Sequence, residues 1–266
     1  MAFGLLIIGD EILSGKRADK HFSKVVDLLK ARGLQLAWAE ILGDDPERIT
    51  ATLRRTFATD DVVFSCGGIG ATPDDHTRQC AAAALGVPLE LHPEAARKIR
   101  ERMLEMARDA DVPLDPDHPD NRNRMKMGEF PRGAAIIPNP YNKIPGFTVR
   151  HGKGAHHFVP GFPVMAWPMI EWVLDTHYAE LFHRQPRAER SVLVYGAIEA
   201  ALTPMMEAIE AEFPLVKMFS LPNVGDAQTR RHIELGVKGE PAQTAAAFER
   251  LLAGLHGMGL EVEHAP

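Results

Sequence analysis

The residues best suited to chemistry form one acidic, glycine-rich segment, which runs from Gly67 to Thr77 with the sequence GGIGATPDDHT. A turn of this kind, leaving a strand and entering a helix, exposes backbone N–H groups that suit an anion such as a phosphate. The adjacent carboxylates of Asp74 and Asp75 would repel a phosphate unless a cation lay between them, and Mg²⁺ binds through one or two carboxylates together with phosphate oxygens. The segment therefore predicts a phosphate-bearing small-molecule ligand and a divalent metal, although an isolated aspartate at this position more often caps a helix.

Two further acidic turns follow the first two predicted strands, at Gly9-Asp10-Glu11 and at Gly43-Asp44-Asp45. The carboxyl ends of parallel strands share one edge of a sheet, so we expect both turns to lie beside the glycine-rich segment. Helix capping explains each turn taken alone. The three turns together favour a metal–phosphate site.

The sequence matches neither of two standard phosphate-binding motifs. Gly68-Ile69-Gly70 would need a glycine at Pro73 to match the dinucleotide fingerprint. Gly9 and Gly15-Lys16 approach a P-loop, but five residues separate the two glycines and Arg17 stands where serine or threonine is required. The sequence therefore indicates neither a Rossmann-type dinucleotide site nor the P-loop of an ATPase.

Composition limits the class of protein. The chain of 266 residues has a formal net charge of −6, which argues against a general basic surface for nucleic acid. Its two cysteines, Cys66 and Cys80, offer no disulfide framework and fit a reducing compartment. No apolar run approaches the roughly 18 residues of a membrane helix, and the apolar N-terminus lacks a basic flank. We therefore expect a cytoplasmic protein that contacts neither membrane nor nucleic acid directly.

The first half of the chain alternates predicted strands and helices, which favours a doubly wound, mostly parallel α/β sheet. Short apolar runs predict strands, and helical spacing between them predicts the helices. The predicted order is strand 3–8, helix 19–32, strand 36–42, helix 46–58, strand 61–66, helix 75–85, helix 94–107, loop 109–124, strands 134–137 and 156–159, and a helix from 163 to about 182.

A polar stretch at 184–190 predicts a linker, after which the pattern starts again. The predicted order there is strand 191–197, helix 203–212, strands 216–221 and 231–237, helix 241–255 and strand 260–263. This βαββαβ order is that of a ferredoxin-like α+β module. The sequence thus predicts two domains, at 1–183 and at 190–266.

The three acidic and glycine-rich motifs, with Asn139-Pro140, Pro145-Gly146-Phe147 and Pro160-Gly161-Phe162-Pro163, resemble the MoaB/Mog-like molybdopterin-binding domain as found in CinA (competence/damage-inducible) proteins. The resemblance implies a three-layer, Rossmann-like mostly parallel sheet, followed by a small α/β domain like the second module. It also implies a homo-oligomer, a dimer or a trimer. We find no counterpart of the amidase domain that many CinA proteins carry at the C-terminus.

Members of this family adenylylate molybdopterin, insert molybdate into it, or hydrolyse nucleotide diphosphates such as ADP-ribose or FAD with a divalent metal. The resemblance therefore implies molybdopterin or an adenine nucleotide as ligand, with Mg²⁺, Mn²⁺, Co²⁺ or Ni²⁺ as metal. Catalysis would use Asp10, Asp74 and Asp75, of which Asp74 and Asp75 would hold the metal. The expected ligand- and phosphate-binding residues are Gly67, Gly68, Ile69, Gly70, Thr72, Thr77, Asp44, Asn139, Pro160 and Gly161.

The sequence also departs from the family pattern. Ala71 replaces a proline of the glycine-rich segment, Asp19-Lys20-His21 replaces an Asn-Thr-Asn type stretch, and Asn142-Lys143-Ile144 replaces a Gly-Thr-Ala type run. Met165 stands where a glutamate normally follows the Pro-Gly-x-Pro turn. Loss of that carboxylate leaves a non-catalytic pterin- or nucleotide-binding module as the alternative to a hydrolase. A role in DNA uptake or repair is a third reading, which the acidic charge disfavours.

Overall fold

A computed structural model describes residues 1–184, 188–226 and 228–264 of the chain. The chain divides into two compact units, the first spanning Met1–Phe182 and the second beginning at His183. Of the predicted linker, residues 185–187 lie outside the described residues, and Ala188 already belongs to a strand. Within the described ranges every helix is too short or too polar to cross a bilayer.

The first unit alternates strands and helices in its first half, as predicted. Its elements are β1 (Phe3–Ile8), α1 (Asp10–Leu13), α2 (His21–Lys30), β2 (Leu36–Leu42), α3 (Pro46–Phe57), β3 (Val62–Cys66), α4 (Thr77–Leu85), β4 (Leu89–Leu91), α5 (Pro93–Asp109), α6 (Pro119–Lys126), β5 (Glu129–Pro131), β6 (Ala135–Ile137), β7 (Gly146–His151), β8 (Gly154–Val159), α7 (Pro163–His177) and a 3₁₀ turn (Ala179–Leu181).

The central sheet has the strand order β2-β1-β3-β8-β7-β6. The first four strands are parallel, whereas β7 runs antiparallel to both β8 and β6. Strands β1, β3 and β8 are buried along their whole length, which explains their continuous apolar runs. Helices α2 and α7 cover one face of the sheet, and α3, α4 and α5 cover the other. The predicted three-layer, mostly parallel α/β architecture is confirmed.

Several elements differ from the prediction. Helix α6 overlaps the end of the stretch predicted as a loop at 109–124; it buries no residue, so the sequence has no apolar periodicity there. His118 accepts a hydrogen bond from the N–H of Asp120, and Pro119 opens the helix, so local capping defines it. Strands β4 and β5 were missed because each has only three residues, and β7 because polar residues interrupt its apolar ones in the sequence GFTVRH. Helix α4 begins at Thr77 rather than at 75.

The second unit is the predicted α+β module. Its elements are β9 (Ala188–Tyr195), α8 (Glu199–Glu212), β10 (Val216–Asn223), β11 (His232–Gly239), α9 (Pro241–Gly257) and β12 (Glu261–His264). They form an antiparallel sheet of order β10-β11-β9-β12, which is the ferredoxin-like arrangement. Helix α8 begins four residues before the predicted start at 203, with Pro204 inside it. Apolar residues of both helices and of the sheet close one core.

Two fully buried histidines stand side by side on the central strand β8. Their side chains point to opposite faces of the sheet, as alternation along a strand predicts. His157 shares hydrogen bonds of 2.8 Å with the hydroxyls of Thr148 and Tyr178. His156 shares one of 2.7 Å with His151 and one of 2.8 Å with the hydroxyl of Thr56. Both rings are therefore held by neutral partners inside the core.

Burial keeps these two rings uncharged. It lowers the pKa of His157 from 6.5 to about 3, assisted by the nearby His177 and Arg150. Burial, with a smaller contribution from His151 and His157, lowers the pKa of His156 well below 6.5. Below pH 6.5 the unfolded chain takes up protons that the folded chain does not, so folding stability is lost as the pH falls.

We expect the free energy of unfolding of the first unit to fall by up to about 1.4 kcal/mol per pH unit for each buried histidine below about pH 6.5. Urea denaturation followed by tryptophan fluorescence between about pH 7 and about pH 5 measures this, because carboxylates titrate little in that range. All three tryptophans lie in the first unit. His157→Gln should reduce the pH slope, whereas His118→Gln, on an exposed helix end, should not. Equal slopes in both variants would contradict the account.

Candidate functional site

The predicted site lies where the carboxyl ends of β2, β1, β3 and β8 meet at one edge of the sheet. The structure brings the first two acidic turns into direct contact there. The N–H of Asp10 donates to Asp44 Oδ2 at 2.9 Å, and the N–H of Asp44 donates to Asp10 Oδ1 at 3.2 Å. The N–H of Gly9 also donates to the carbonyl of Leu42 at 3.0 Å, so the turns are tied together.

The edge carries a concentration of negative charge around Asp44. Burial raises the pKa of Asp44, and the carboxylates of Asp10, Asp74 and Glu11 raise it further, while the N–H of Asp10 opposes them. Asp74 therefore lies within electrostatic reach of the first two turns. A group that relieves this repulsion must be positively charged.

The glycine-rich segment begins in a space that only glycine can fill. Gly67 has φ +110° and Gly68 has φ +67°, both in the left-handed region. A Cβ atom on Gly67 would lie 2.1 Å from the carbonyl oxygen of Ile8 at the end of β1. The N–H of Gly67 donates to the carbonyl of Val159 on β8 at 3.0 Å. The backbone thus leaves β3 wedged between its two neighbouring strands.

Asp75 closes the segment on itself. Its Oδ1 accepts the N–H of Gly70 at 2.8 Å, and its Oδ2 accepts the N–H of Thr72 at 2.8 Å and the hydroxyl of Thr72 at 2.5 Å. The carboxylate is therefore occupied by backbone and hydroxyl donors. Asp74 is exposed, and hydrogen bonds from the hydroxyl of Thr72 and from its own N–H lower the pKa of its carboxyl.

The buried side chain of Arg78 also holds the glycine-rich segment in place, and the sequence did not lead us to expect this role. The side chain is 3% exposed; it donates through Nη2 to the carbonyl of Gly70 at 2.5 Å and through Nη1 to the carbonyl of Lys126. Burial lowers its pKa, which the carboxylates of Asp75 and Glu129 partly offset. The feature of the sequence that could have indicated this role is an arginine on the alanine-rich, buried face of helix α4.

Helix α2 is tied to the turn that follows β8. His21, which is 5% exposed, shares a 3.0 Å hydrogen bond between its Nε2 and the carbonyl of Gly161, and its Nδ1 has no partner among the described residues. A Cβ atom on Gly161 would lie 3.5 Å from the Cα of Gly67. Gly161 therefore lies directly against the start of the glycine-rich segment.

Several hydrogen-bond donors of the segment remain free. Within the part of the chain that the structure describes, the N–H groups of Gly68, Ile69 and Ala71 donate no hydrogen bond. The hydroxyl of Thr77 is fully buried, has no partner among the described residues, and lies against Gly68. These donors surround the N-terminus of α4, a position that favours an anion.

Asn139 lies at the same edge of the sheet, but hydrogen bonds within its own turn occupy its side-chain amide. Its Nδ2 donates to Asn142 Oδ1 at 2.8 Å and to the carbonyl of Ile144 at 2.9 Å, and its Oδ1 accepts the N–H of Tyr141 at 3.0 Å. Asn142 in turn donates to the sulfur of Met165 at 3.2 Å. The turn after β6 is thereby docked on the first turn of α7, with a thioether where the family pattern has a carboxylate.

The carboxylates at the edge can accommodate a hydrated cation. Among the described residues, no three His, Cys, Asp or Glu side chains converge as an all-protein metal centre requires. A magnesium ion that keeps several waters needs only one or two carboxylates and a phosphate. Asp10 and Asp44 each keep one carboxylate oxygen outside their mutual hydrogen bonds, and Asp74 is exposed. These three residues fit such an ion better than Asp75 does.

We expect Asp75→Ala to lower the free energy of unfolding of the first unit by about 1–3 kcal/mol, because the N–H groups of Gly70 and Thr72 and the hydroxyl of Thr72 lose a charged acceptor. Amide hydrogen exchange over residues 67–77 should accelerate at the same time. Asp74→Ala is the matched control, since its exposed side chain accepts no hydrogen bond from the backbone of residues 70–72. If both variants exchange at the wild-type rate, Asp75 does not shape the segment.

Comparisons with known proteins find relatives for most of the chain. A family model described as "Probable molybdopterin binding domain" matches residues 4–179. The CinA-like protein of Anaeromyxobacter sp. (strain K) is 38% identical over 175 residues, which cover 65% of this chain and 40% of that protein. The CinA-like protein of Syntrophotalea carbinolica is 31% identical over 223 residues, which cover 80% of this chain and 52% of that protein. The chain thus spans about half the length of these curated relatives.

Among solved structures, the chain is similar to the protein CinA of unknown function from Thermoplasma acidophilum. The two share 23% sequence identity and superpose with a TM-score of 0.56, covering 66% of this chain and 98% of that one. This similarity supports the fold of the first unit. The family model matches most of the chain, and the matched residues include the acidic and glycine-rich turns. The chain therefore belongs to the molybdopterin-binding-domain family and resembles the CinA-like proteins within it.

Proposed function

We propose that this protein binds the phosphate or diphosphate group of a pterin or an adenine nucleotide at the glycine-rich segment. The observation that carries the proposal is the set of free donors there: the N–H groups of Gly68 and Ile69 and the unpartnered hydroxyl of Thr77. Buried polar groups without partners are rare in folded proteins and need an explanation. A phosphate oxygen at the N-terminus of α4 supplies the missing acceptor.

The fixed backbone supports the same proposal. Gly70 is held on its N–H side by Asp75 and on its carbonyl side by Arg78, so its two peptide groups cannot rotate freely. The donors next to it are therefore ordered before a ligand arrives. Preordered donors bind more tightly because less conformational entropy is lost on binding.

The acidic edge beside the segment supports a divalent cation in the complex. A phosphate near Asp10, Asp44 and Asp74 meets a cluster of carboxylates in which burial and the charges of Asp10 and Asp74 already raise the pKa of Asp44. We propose that one or two of the carboxylates of Asp10, Asp44 and Asp74 hold the cation together with phosphate oxygens, while Asp75 keeps the segment in shape. When bound, the metal polarises a diphosphate and lowers the pKa of a water molecule. Hydrolysis of an ADP-ribose or FAD type of diphosphate is the reaction that this chemistry serves.

A non-catalytic binding module is the second candidate, and Met165 favours it. The sulfur of Met165 accepts a hydrogen bond from Asn142 at 3.2 Å and packs against the core, so no carboxylate or base stands at that point of the edge. Such a module would keep every donor of the glycine-rich segment. It would bind the same ligands without turning them over.

Assembly and location complete the proposal. The resemblance to the family supports a cytoplasmic homo-oligomer, a dimer or a trimer, as the acting form. Phe162 and Val164, which flank the start of α7, are 55% and 54% exposed and add apolar surface beside the site. Apolar side chains of this size at a surface are common at interfaces between subunits.

We expect the purified protein to release AMP from ADP-ribose or FAD in the presence of Mg²⁺, Mn²⁺, Co²⁺ or Ni²⁺. Asp10→Asn should lower the rate at least about tenfold, because the cation loses a charged ligand. Asp27→Asn, on the outer part of α2, is the matched control and should keep the wild-type rate. Tight binding of ADP-ribose without AMP release under any of the four metals would contradict hydrolysis and support the binding module.

A further inference from the structure

A cavity of about 490 Å³ lies in the second unit, between helix α8 and strand β10 at the edge of the antiparallel sheet. Helix α8 forms one wall, and the residues of β10 that face this helix form the other. The volume is typical of small-molecule sites. The cavity belongs to a different unit from the candidate phosphate site, so its chemistry has to be explained separately.

The wall formed by α8 is a single stripe along the helix. At about 100° per residue, the lining positions 199, 200, 203, 206, 207 and 210 fall within a sector of about 120°. Met206 lies on this stripe, and Met218 lines the cavity from β10. Unbranched thioether side chains offer an adaptable apolar surface, which suits a flexible aliphatic chain.

The stripe carries two carboxylates that have no counterion. Glu199 and Glu207 are exposed and form no ion pair with any residue that the structure describes. Glu210, in contrast, pairs with Lys217 at 2.9 Å and accepts the N–H of Met218 at 2.8 Å. Glu207 follows Glu199 by eight positions, so their Cα atoms lie about 12 Å apart along the helix axis. Among the described residues, these glutamates do not converge as a metal centre requires.

Two uncharged acceptors at the cavity also lack a donor. Pro204 lies inside α8 and has no N–H, so the carbonyl of Ala200 loses the hydrogen bond that a helix normally supplies. On the opposite wall, the hydroxyl oxygen of Ser220 is buried and has no partner in the described part of the chain. Buried polar groups without a partner are rare and need an explanation. The free groups of both walls are therefore acceptors, and a ligand that satisfies them must be rich in donors.

We propose that this cavity binds a linear aliphatic polyamine with an ammonium group at each end. The two ammonium groups pair with Glu199 and Glu207, and the methylene chain between them lies on Met206 and Met218. An amine group within the chain donates to the hydroxyl of Ser220 and to the free carbonyl of α8. An ammonium group offers three donors and no acceptor, which matches a site built of acceptors. Neither this site nor the proposed phosphate site requires the other.

Isothermal titration of the full chain with spermidine, in about 150 mM NaCl to screen diffuse attraction, tests this site. The wild type should bind one spermidine saturably. Glu199→Gln and Glu207→Gln should each raise the Kd at least about fivefold, because one ammonium group loses its charged acceptor. Glu249→Gln removes the same charge from an exposed position on α9 and should keep the wild-type Kd.

The methionine methyl groups report the position of the aliphatic chain. In protein labelled with ¹³C at these methyl groups, spermidine should shift the signals of Met206 and Met218 and leave that of Met258, at the end of α9, unmoved. If Mg²⁺ at the same concentration produces the same shifts, the carboxylates merely concentrate cations and the polyamine site is wrong. The absence of saturable spermidine binding, or an unchanged Kd in both glutamine variants, would overturn it as well.

Discussion

The candidate site depends on how the two peptide groups of Gly70 are held. Asp75 accepts the N–H of Gly70 and Arg78 donates to its carbonyl, so a carboxylate and a buried guanidinium fix one short piece of backbone from both sides. The two charged groups also stabilise one another, because Asp75 favours the charged form of Arg78 in a place where burial opposes it. With Gly70 fixed, the N–H groups of Gly68 and Ile69 have no acceptor within the described ranges of the chain.

The same edge of the sheet combines donors for an anion with carboxylates that repel one. Hydrogen bonds from the N–H of each residue to the carboxylate of the other hold Asp10 and Asp44 close together. Burial raises the pKa of Asp44, and the charges of Asp10 and Asp74 raise it further. A cation resolves the conflict, since it is attracted to both the carboxylates and the phosphate. Met165 is the point at which this chain differs in chemistry from the family pattern, and its thioether serves packing and the Asn142 contact instead of acid–base chemistry.

The fold was largely predictable, because burial leaves a clear pattern in the sequence. Strands β1 and β3 are apolar along their length, and helices α2 and α3 show helical spacing, so the parallel core and the acidic turns at its edge could be expected. Helix α6 could not, because it buries nothing. The ferredoxin-like order of the second unit followed from the renewed alternation after residue 190.

The sequence predicts the edge of the sheet at which the candidate site lies, but not the role of each residue there. Which aspartate faces outward depends on hydrogen bonds inside the segment, and spacing alone does not distinguish Asp74 from Asp75. Arg78 was missed because its partners, Gly70 and Lys126, come from different parts of the chain.

The most direct test of a phosphate site at the glycine-rich segment is a titration of the ¹⁵N-labelled protein with inorganic pyrophosphate, followed by amide NMR. The account predicts that the largest shifts occur at the N–H groups of Gly68 and Ile69, which gain an acceptor. Gly70 should shift little, because its N–H is already bonded to Asp75. Saturable shifts confined to other parts of the chain, with Gly68 and Ile69 unmoved, would contradict the central claim.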